Sequence, residues 1–265
     1  MGAARVDLRE LCALGGFFAL RTSQDGTPPS GDGWPDDGDG RSGGGEGRSG
    51  GGETGAPLAR LYAGDLTPLT LRVDIVVARH TPPERRVAAS IAQLGLAARL
   101  WSIALGAAAL CGGVPALDPE RLHWSPGRTA PDDLWLDTGT GTGARLLPAT
   151  AESIRETVQY AHLVPLADAL RRDTPVSRRL LWGNAGSALA GAVRQLDEWA
   201  RGAGHGDVAE RAAVLAAELF AHPDLSGTVH GPGMRRNTCC LYYRAPRGGL
   251  CGDCVFDRPP GRPAN

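Results

Sequence analysis

The sequence predicts an α+β fold, with a helix-rich body, a small antiparallel strand region and a short C-terminal segment that carries cysteines. Three observations lead to this class. Apolar residues recur at helical spacing over residues 85–111 and again from residue 150 onward. Alternating or extended patterns occupy residues 69–75 and 115–147. Four of the six cysteines fall within residues 239–254. A doubly wound nucleotide-binding fold is not expected.

Composition limits the classes of function. A chain of 265 residues has room for one large domain or two small ones. Its formal net charge of −1 gives no general attraction to nucleic acid, so no nucleic-acid partner is expected. The charge is unevenly distributed, because residues 231–265 carry +4 and the remainder carries −5. The C-terminal segment is therefore locally basic.

The chain divides into four parts. Residues 1–21 form an N-terminal helix, since apolar residues recur at helical spacing over residues 6–20. Residues 22–57 form a disordered insertion, because thirteen of the thirty residues 26–55 are glycine and GRSGGGE occurs twice in tandem. A helix-rich domain over residues 58–230 and the cysteine-bearing segment 231–265 complete the division.

The helix-rich domain opens with a predicted strand. Residues 58–78 are strand-like, because Leu69, Leu71, Val73 and Ile75 alternate with polar residues. Thr81, followed by Pro82 and then Glu84, is typical of a helix start with a capping box, and this helix runs towards Gly112. Residues 115–147 are extended. Four helices are then expected, over residues 151–161, 165–172, 174–199 and 207–221.

One uncharged run, residues 100–117, approaches the length of a membrane span. It contains Gly112 and Pro115, which favour a buried helix that ends at a glycine. The first 21 residues carry four charged side chains before their apolar stretch and no clear small-residue cleavage site, which is not typical of a secretory signal. The expected location is therefore cytoplasmic, with at most peripheral membrane contact.

The cysteines carry the chemistry. Their spacing, C-C-x10-C-x2-C, supplies four thiols from one local segment, and Ala245-Pro246 and Gly248-Gly249 allow the chain to turn back between the pairs. Such a group forms a metal centre or two disulfides, and a reducing compartment favours metal. Zinc remains open. The abutting pair favours an iron–sulfur cluster, because a two-iron cluster has two metal corners to ligate.

These residues resemble a known family. The string CCLYYR-x5-LCGDC is similar to the C-terminal cluster segment of the FhuF-type ferric-siderophore reductases. Two upstream stretches, LWGNAGSALAGAVRQL (residues 181–196) and ARLWSIALGAAALCGGVPALDPERLHW (residues 98–124), also resemble this family. The resemblance covers residues 58–257. It implies that Cys239, Cys240, Cys251 and Cys254 ligate a 2Fe–2S cluster.

The resemblance also implies a function, namely one-electron reduction of a ferric siderophore in the cytoplasm with release of Fe(II). A hydroxamate siderophore is the expected substrate. The sequence has no flavin or nicotinamide fingerprint, so electrons are expected from a ferredoxin-like partner or a separate reductase. No catalytic residue beyond the cluster is required. The alternative is a non-catalytic zinc- or iron–sulfur-binding protein that acts through partner binding or sensing.

Four further residues are candidates for the site. Arg236, Arg244 and Arg247 surround the cysteines, and guanidinium groups stabilise the reduced form of an anionic cluster or attract an acidic donor or an anionic chelate. A solvated basic face explains the same arginines. Asn184 lies within a helix, where a satisfied buried polar group and a contact to cluster or siderophore are the two interpretations.

Overall fold

The computed structural model describes residues 5–25, 55–82, 84–140 and 143–260. The predicted disordered insertion, residues 22–57, falls outside the described residues over 26–54. The helices are α1 (Leu58–Ala63), α2 (Thr67–His80), α3 (Arg85–Cys111), α4 (Ala151–Ile154), α5 (Val164–Asp173), α6 (Arg178–Ala203) and α7 (Gly206–Ala221). The strands are β1 (Arg5–Val6), β2 (Arg21–Thr22), β3 (Ala56–Pro57), β4 (Gly113–Pro115), β5 (Leu122–Trp124), β6 (Leu134–Leu136), β7 (Ala144–Pro148), β8 (Val229–His230) and β9 (Arg235–Arg236).

Helix α3 forms the centre of the core. It packs against α2, α6 and α7, and Trp101 near its middle is fully buried. The helix ends at Cys111, where Gly112 adopts the left-handed conformation (φ 72°) that glycine accommodates without steric cost. By length and composition α3 resembles a membrane span, but most of it is buried inside the protein. The prediction of a buried helix that ends at a glycine is confirmed.

The strands form three small sheets beside the helices. Their orders are β1-β7-β4, β2-β6-β5-β3 and β8-β9, and among the described strands only the β2–β6 pairing is parallel. The extended region predicted over residues 115–147 contributes β5, β6 and most of β7. The α+β class with a small, mainly antiparallel strand region is thereby confirmed. The β8–β9 pair opens the C-terminal segment and lies against α6.

The strand predicted over residues 58–78 is wrong, because this region forms α1 and α2. The residues from Leu69 to Val76 fit both the two-residue period of a strand and the 3.6-residue period of a helix. Alternate residues are apolar, but Leu69, Val73 and Val76 also recur at helical spacing, and these three are the buried ones. Packing against α3 selects the helical period, since it buries one continuous stripe.

Two predicted helix starts also differ from the structure. Thr81 does not cap α3; it ends α2 in a left-handed conformation (φ 41°), and α3 begins at Arg85 after Glu84. The N-terminal helix is shorter than predicted and forms a 3-10 helix over Leu8–Leu14. Its buried residues, Leu8, Leu11 and Leu14, recur every third position, which matches the three residues per turn of that helix.

A buried arginine holds the N-terminal segment on the core. Arg99 of α3 is 2% exposed and pairs with Asp133, with Nε to Oδ1 at 2.9 Å. Its Nη2 donates to the Ala19 carbonyl at 2.8 Å, and its Nη1 donates to the Gly16 and Phe17 carbonyls. Burial lowers the pKa of Arg99 from its usual value, and Asp133 opposes this effect. Arg99 thus ties two loops to α3, one that contains Ala19 and one that contains Asp133.

The helices predicted over 151–161 and 165–172 are continuous. Residues Arg155–Leu163 form a π-helix that joins α4 to α5. This wider turn contains His162, which is fully buried. Its Nε2 lies 2.7 Å from the Leu117 carbonyl, which only accepts, so Nε2 carries the proton. Nδ1 then accepts from the Tyr62 hydroxyl at 2.9 Å.

The burial of His162 predicts that the fold loses stability in acid. Burial lowers its pKa from 6.5 to about 4, and the bond to Leu117 only partly opposes this. The folded protein prefers the neutral ring. The contribution of His162 to the free energy of unfolding is therefore complete above pH 6.5 and is lost as the pH falls towards 4. One pKa unit corresponds to about 1.4 kcal/mol, so the loss is roughly 3 kcal/mol.

Chemical unfolding measured between pH 7 and pH 4 tests this prediction. His162→Gln retains one donor and one acceptor but cannot titrate, so its unfolding free energy is expected to depend less on pH by about that amount. Equal pH dependence in the two proteins would contradict the assignment.

Candidate iron–sulfur centre

The C-terminal segment brings four thiols together. The Sγ atoms of Cys240 and Cys251 lie 3.7 Å apart, and the Cys254 amide donates to the Cys251 carbonyl at 3.0 Å. Cys239 is close enough for electrostatic interaction with the other three cysteines. All six cysteines of the chain lie in its described part, and none forms a disulfide. The two cysteine pairs therefore lie next to each other.

The loop between the pairs turns sharply at Gly248. Its amide donates to the Ala245 carbonyl at 2.8 Å, after a 3-10 turn over Tyr242–Arg244. A Cβ at residue 248 would lie only 2.0 Å from the Tyr242 carbonyl oxygen, whereas a Cβ at Gly249 would meet nothing within 4 Å. Of the two glycines in this turn, only Gly248 is sterically required.

Backbone amides point at the sulfur atoms. The Leu241 amide donates to Cys239 Sγ at 3.2 Å, and the Phe256 amide donates to Cys254 Sγ at 3.5 Å. Leu241 adopts a left-handed conformation (φ 69°), which a branched residue rarely occupies. Amide-to-sulfur bonds stabilise negative charge on sulfur and tune the potential of an iron–sulfur cluster. One cysteine of each pair, Cys239 and Cys254, thus accepts a backbone amide hydrogen bond.

Contact between Cys240 and Cys251 shifts the pKa of both thiols. The bond to Cys251 lowers the pKa of Cys240 to about 7, and Arg236 adds to this effect against burial. The same bond, together with burial, raises the pKa of Cys251. Burial raises the pKa of Cys239. The pKa values of Cys240 and Cys251 are thus shifted in opposite directions by their mutual contact.

Helix α6 forms the platform under the segment through the residues of its GNAGS sequence. A Cβ at Gly183 would lie 1.7 Å from the Thr238 hydroxyl oxygen, and one at Gly186 would lie 2.1 Å from the Thr228 hydroxyl oxygen. The two glycines therefore allow the chain on either side of β9 to approach the helix closely. Ser187, on the next turn, donates to the Asp253 carboxylate between Cys251 and Cys254.

Helix α3 supports the other cysteine pair. The Ser90 hydroxyl donates to the Cys240 carbonyl at 2.8 Å. Arg244 forms an ion pair with Glu84, which lies just before α3. The Tyr242 ring packs edge-to-face on His80 at the end of α2, with ring centroids 5.9 Å apart. Each cysteine pair is thus attached to a different long helix.

Arg236 and Asn184 connect the C-terminal segment to both α6 and α3. Arg236 is fully buried; its Nη1 lies 3.9 Å from Cys251 Sγ and its Nη2 donates to Asn184 Oδ1. Asn184 Nδ2 donates at 3.0 Å to both the carbonyl and the hydroxyl of Ser90. Among the described residues Arg236 has no carboxylate partner, and its Nε has no hydrogen-bond acceptor. A buried cation beside four thiols fits an anionic thiolate-ligated group, which would neutralise it.

The structure separates the residues that the sequence grouped as candidates. Arg236 and Asn184 lie beside the cysteines. Arg244 forms an ion pair with Glu84, and Arg247 is exposed. Sequence reasoning missed Arg235, whose Nη2 donates to the Cys254 carbonyl at 2.7 Å. It also missed Ser90 and Asp253, because their partners are far away in the chain. The GNAGS string was the available signal, since two glycines and a serine repeat at helical spacing.

Within the described ranges, no group of three or more His, Cys, Asp or Glu side chains is placed to hold one ion. A 2Fe–2S cluster has a different requirement, because its four ligands are distributed over two irons.

The helix-rich body and its thiol-bearing tail define a class of protein with a C-terminal iron–sulfur domain. Residues 236–256 match the family model of the FhuF 2Fe-2S C-terminal domain, and residues 129–229 match that of the ferric iron reductase FhuF-like transporter. No curated protein matches the chain. The two matches confirm the resemblance to the FhuF-type ferric-siderophore reductase family, and the protein is an iron–sulfur protein with a 2Fe–2S cluster. The similarity to the ferric iron reductase model supports an oxidoreductase that acts on ferric iron.

Proposed function

We propose that the protein is a cytoplasmic ferric-siderophore reductase in which Cys239, Cys240, Cys251 and Cys254 ligate the cluster. The observation that supports this best is the contact between the Cys240 and Cys251 thiols, 3.7 Å apart, beside a buried arginine that has no carboxylate partner among the described residues. The 2Fe–2S cluster, when bound, accepts and donates one electron at a time. Every other task falls to the protein, which holds the thiols, excludes water from part of them and positions charge.

The reaction needs one electron per iron. A ferredoxin-like protein or a separate reductase supplies this electron, Fe(III) in the chelate is reduced to Fe(II), and the siderophore leaves unreduced. Hard oxygen ligands bind Fe(III) far more tightly than Fe(II), so reduction releases the metal. Hydroxamates suit this reaction better than catecholates, because each hydroxamate carries less negative charge and binds Fe(III) less tightly. No general base or nucleophile takes part.

Surface charge supports docking at the same end of the molecule. Arg247 is exposed in the loop between the cysteine pairs, and Arg258 is exposed beyond them. Arg244 is only partly available, since Glu84 neutralises it. An acidic donor protein or an anionic ferric chelate is therefore attracted to the loop by Arg247 and its neighbours. Such attraction weakens as salt is added.

Anaerobically purified protein tests the proposal. It is expected to be red-brown, to contain two irons and two sulfides per chain, and to lose its visible absorbance on addition of dithionite. The reduced protein is then mixed with a ferric hydroxamate or a ferric catecholate, and Fe(II) is trapped with a ferrous-specific chelator. One Fe(II) per reduced cluster, formed faster from the hydroxamate, is the expected result. Colourless protein with stoichiometric zinc would contradict the proposal.

A further inference from the structure

The buried guanidinium of Arg236 lacks its counter-charge. The side chain is 0% exposed, and no carboxylate of the described residues lies within ion-pair distance of it. The carboxyl group of Asp253, whose backbone carbonyl accepts from the Arg236 amide, accepts from Ser187. A charge removed from water without a partner is strongly destabilising, so a buried arginine is normally paired. The fold therefore retains a cation whose partner lies outside the polypeptide.

The cysteines lie where that partner must bind. Nη1 of Arg236 approaches Cys251 Sγ, and the guanidinium acts electrostatically on Cys239 and Cys240 as well. Nε of the same group is buried without an acceptor. Nη1 therefore lies next to a thiol, Nη2 is held by Asn184, and Nε has no acceptor among the described residues.

Asn184 determines where this charge sits. A guanidinium only donates, so Oδ1 of Asn184 faces Arg236, and Nδ2 faces the Ser90 carbonyl, which only accepts. Ser90 in turn holds the Cys240 carbonyl. The chain of contacts from Cys251 through Arg236, Asn184 and Ser90 to Cys240 leaves the amide a single orientation. The cation is therefore held at a set position relative to both cysteine pairs.

We propose that Arg236 is the counter-charge of the cluster, held in place by Asn184, and that it raises the reduction potential by stabilising the reduced form. This inference rests on the ligand assignment proposed above. Reduction adds one negative charge next to a cation that cannot lose its proton, so the reduced state gains more than the oxidised state. Arg236 and Asn184 are positioning residues. Neither has to touch the substrate.

Charge removal at two positions tests the proposal through the potential. Arg236→Met removes the cation, and Asn184→Asp keeps the side-chain shape but neutralises the cation in place. Both variants are expected to load a cluster with a more negative midpoint potential and altered g-values in the electron paramagnetic resonance spectrum of the reduced form. Arg236→Lys, which keeps the charge without the planar fork, is expected to lie between wild type and Arg236→Met. Arg258→Gln removes an exposed charge from the same segment and controls for general electrostatics.

A second measurement separates counter-charge from simple packing. With the cluster bound, Arg236→Met is expected to lower the unfolding temperature. In apoprotein Arg236→Met is expected to lower the unfolding temperature less or to raise it, because it removes a buried cation that has no counter-charge there.

Three outcomes would overturn the inference: an unchanged potential in Asn184→Asp, a shift no larger than that of Arg258→Gln, or equal destabilisation of apo and loaded Arg236→Met. If wild-type protein itself binds no cluster, the proposed function fails instead. If Arg236→Met does not load, the potentials of Asn184→Asp and Arg236→Lys decide the question.

Discussion

Replacement of Cys251 with serine is expected to abolish both the cluster and ferric-chelate turnover while leaving the helical body folded. Cys251 is the cysteine in contact with both Cys240 and Arg236, so its loss removes the centre of the site. A serine oxygen is a much poorer ligand for iron in such clusters than a thiolate. The body does not depend on this residue, because its core is built from α3 and the helices around it.

Loss of the cluster is measured by iron and sulfide content and by visible absorbance. The folded state of the helical body is measured by far-ultraviolet circular dichroism. Cys12→Ser is the matched control, since Cys12 is exposed in the N-terminal 3-10 helix and makes the same sulfur-to-oxygen change far from the site. The control is expected to keep its iron and its activity. Wild-type iron content and turnover in Cys251→Ser would refute the ligand assignment.

Replacement of Gly248 with alanine is expected to have a comparable effect on the cluster through the backbone alone. The new Cβ would lie 2.0 Å from the Tyr242 carbonyl oxygen, and this carbonyl belongs to the turn that returns the chain to Cys251. Overpacking of this kind costs roughly 1–3 kcal/mol, so the two cysteine pairs meet about ten times less often or worse. The expected result is a loss of most bound iron with no change in ligand chemistry.

Gly249→Ala provides the control for this experiment. It adds the same methyl group to the next residue of the same turn, where nothing lies within 4 Å. Its iron content after anaerobic reconstitution is expected to equal that of wild type. Equal retention of iron in both variants would show that the turn at Gly248 does not govern the approach of the cysteine pairs.

The cysteine segment was predictable because its information is local. The C-C-x10-C-x2-C spacing and the glycines at 248 and 249 lie within sixteen residues, so turn chemistry alone brings the pairs together. Helix α3 was predictable for a similar reason, since its apolar run is long and Gly112 ends it. In both cases neighbouring residues contain the physical cause of the structure.

Other features depended on packing between distant parts of the chain. The residues from Leu69 to Ile75 fit a strand or a helix equally well, and only α3 beside them selects the helix. Asn184 could have been a satisfied core amide, and its contact with a buried arginine from the C-terminal segment makes it part of the site. Arg244, a candidate for tuning the potential or docking a partner in the sequence analysis, is neutralised by Glu84, which lies just before α3.

The amino-acid order thus specified which atoms are available for the chemistry, because four thiols and the turn between them are contiguous. The tertiary fold specified the electrostatic setting of those atoms. A potential depends on which charges are buried beside the sulfur atoms, and burial of Arg236 results from the close approach that Gly183 and Gly186 permit on α6. Such an approach between distant segments has no signature in local periodicity.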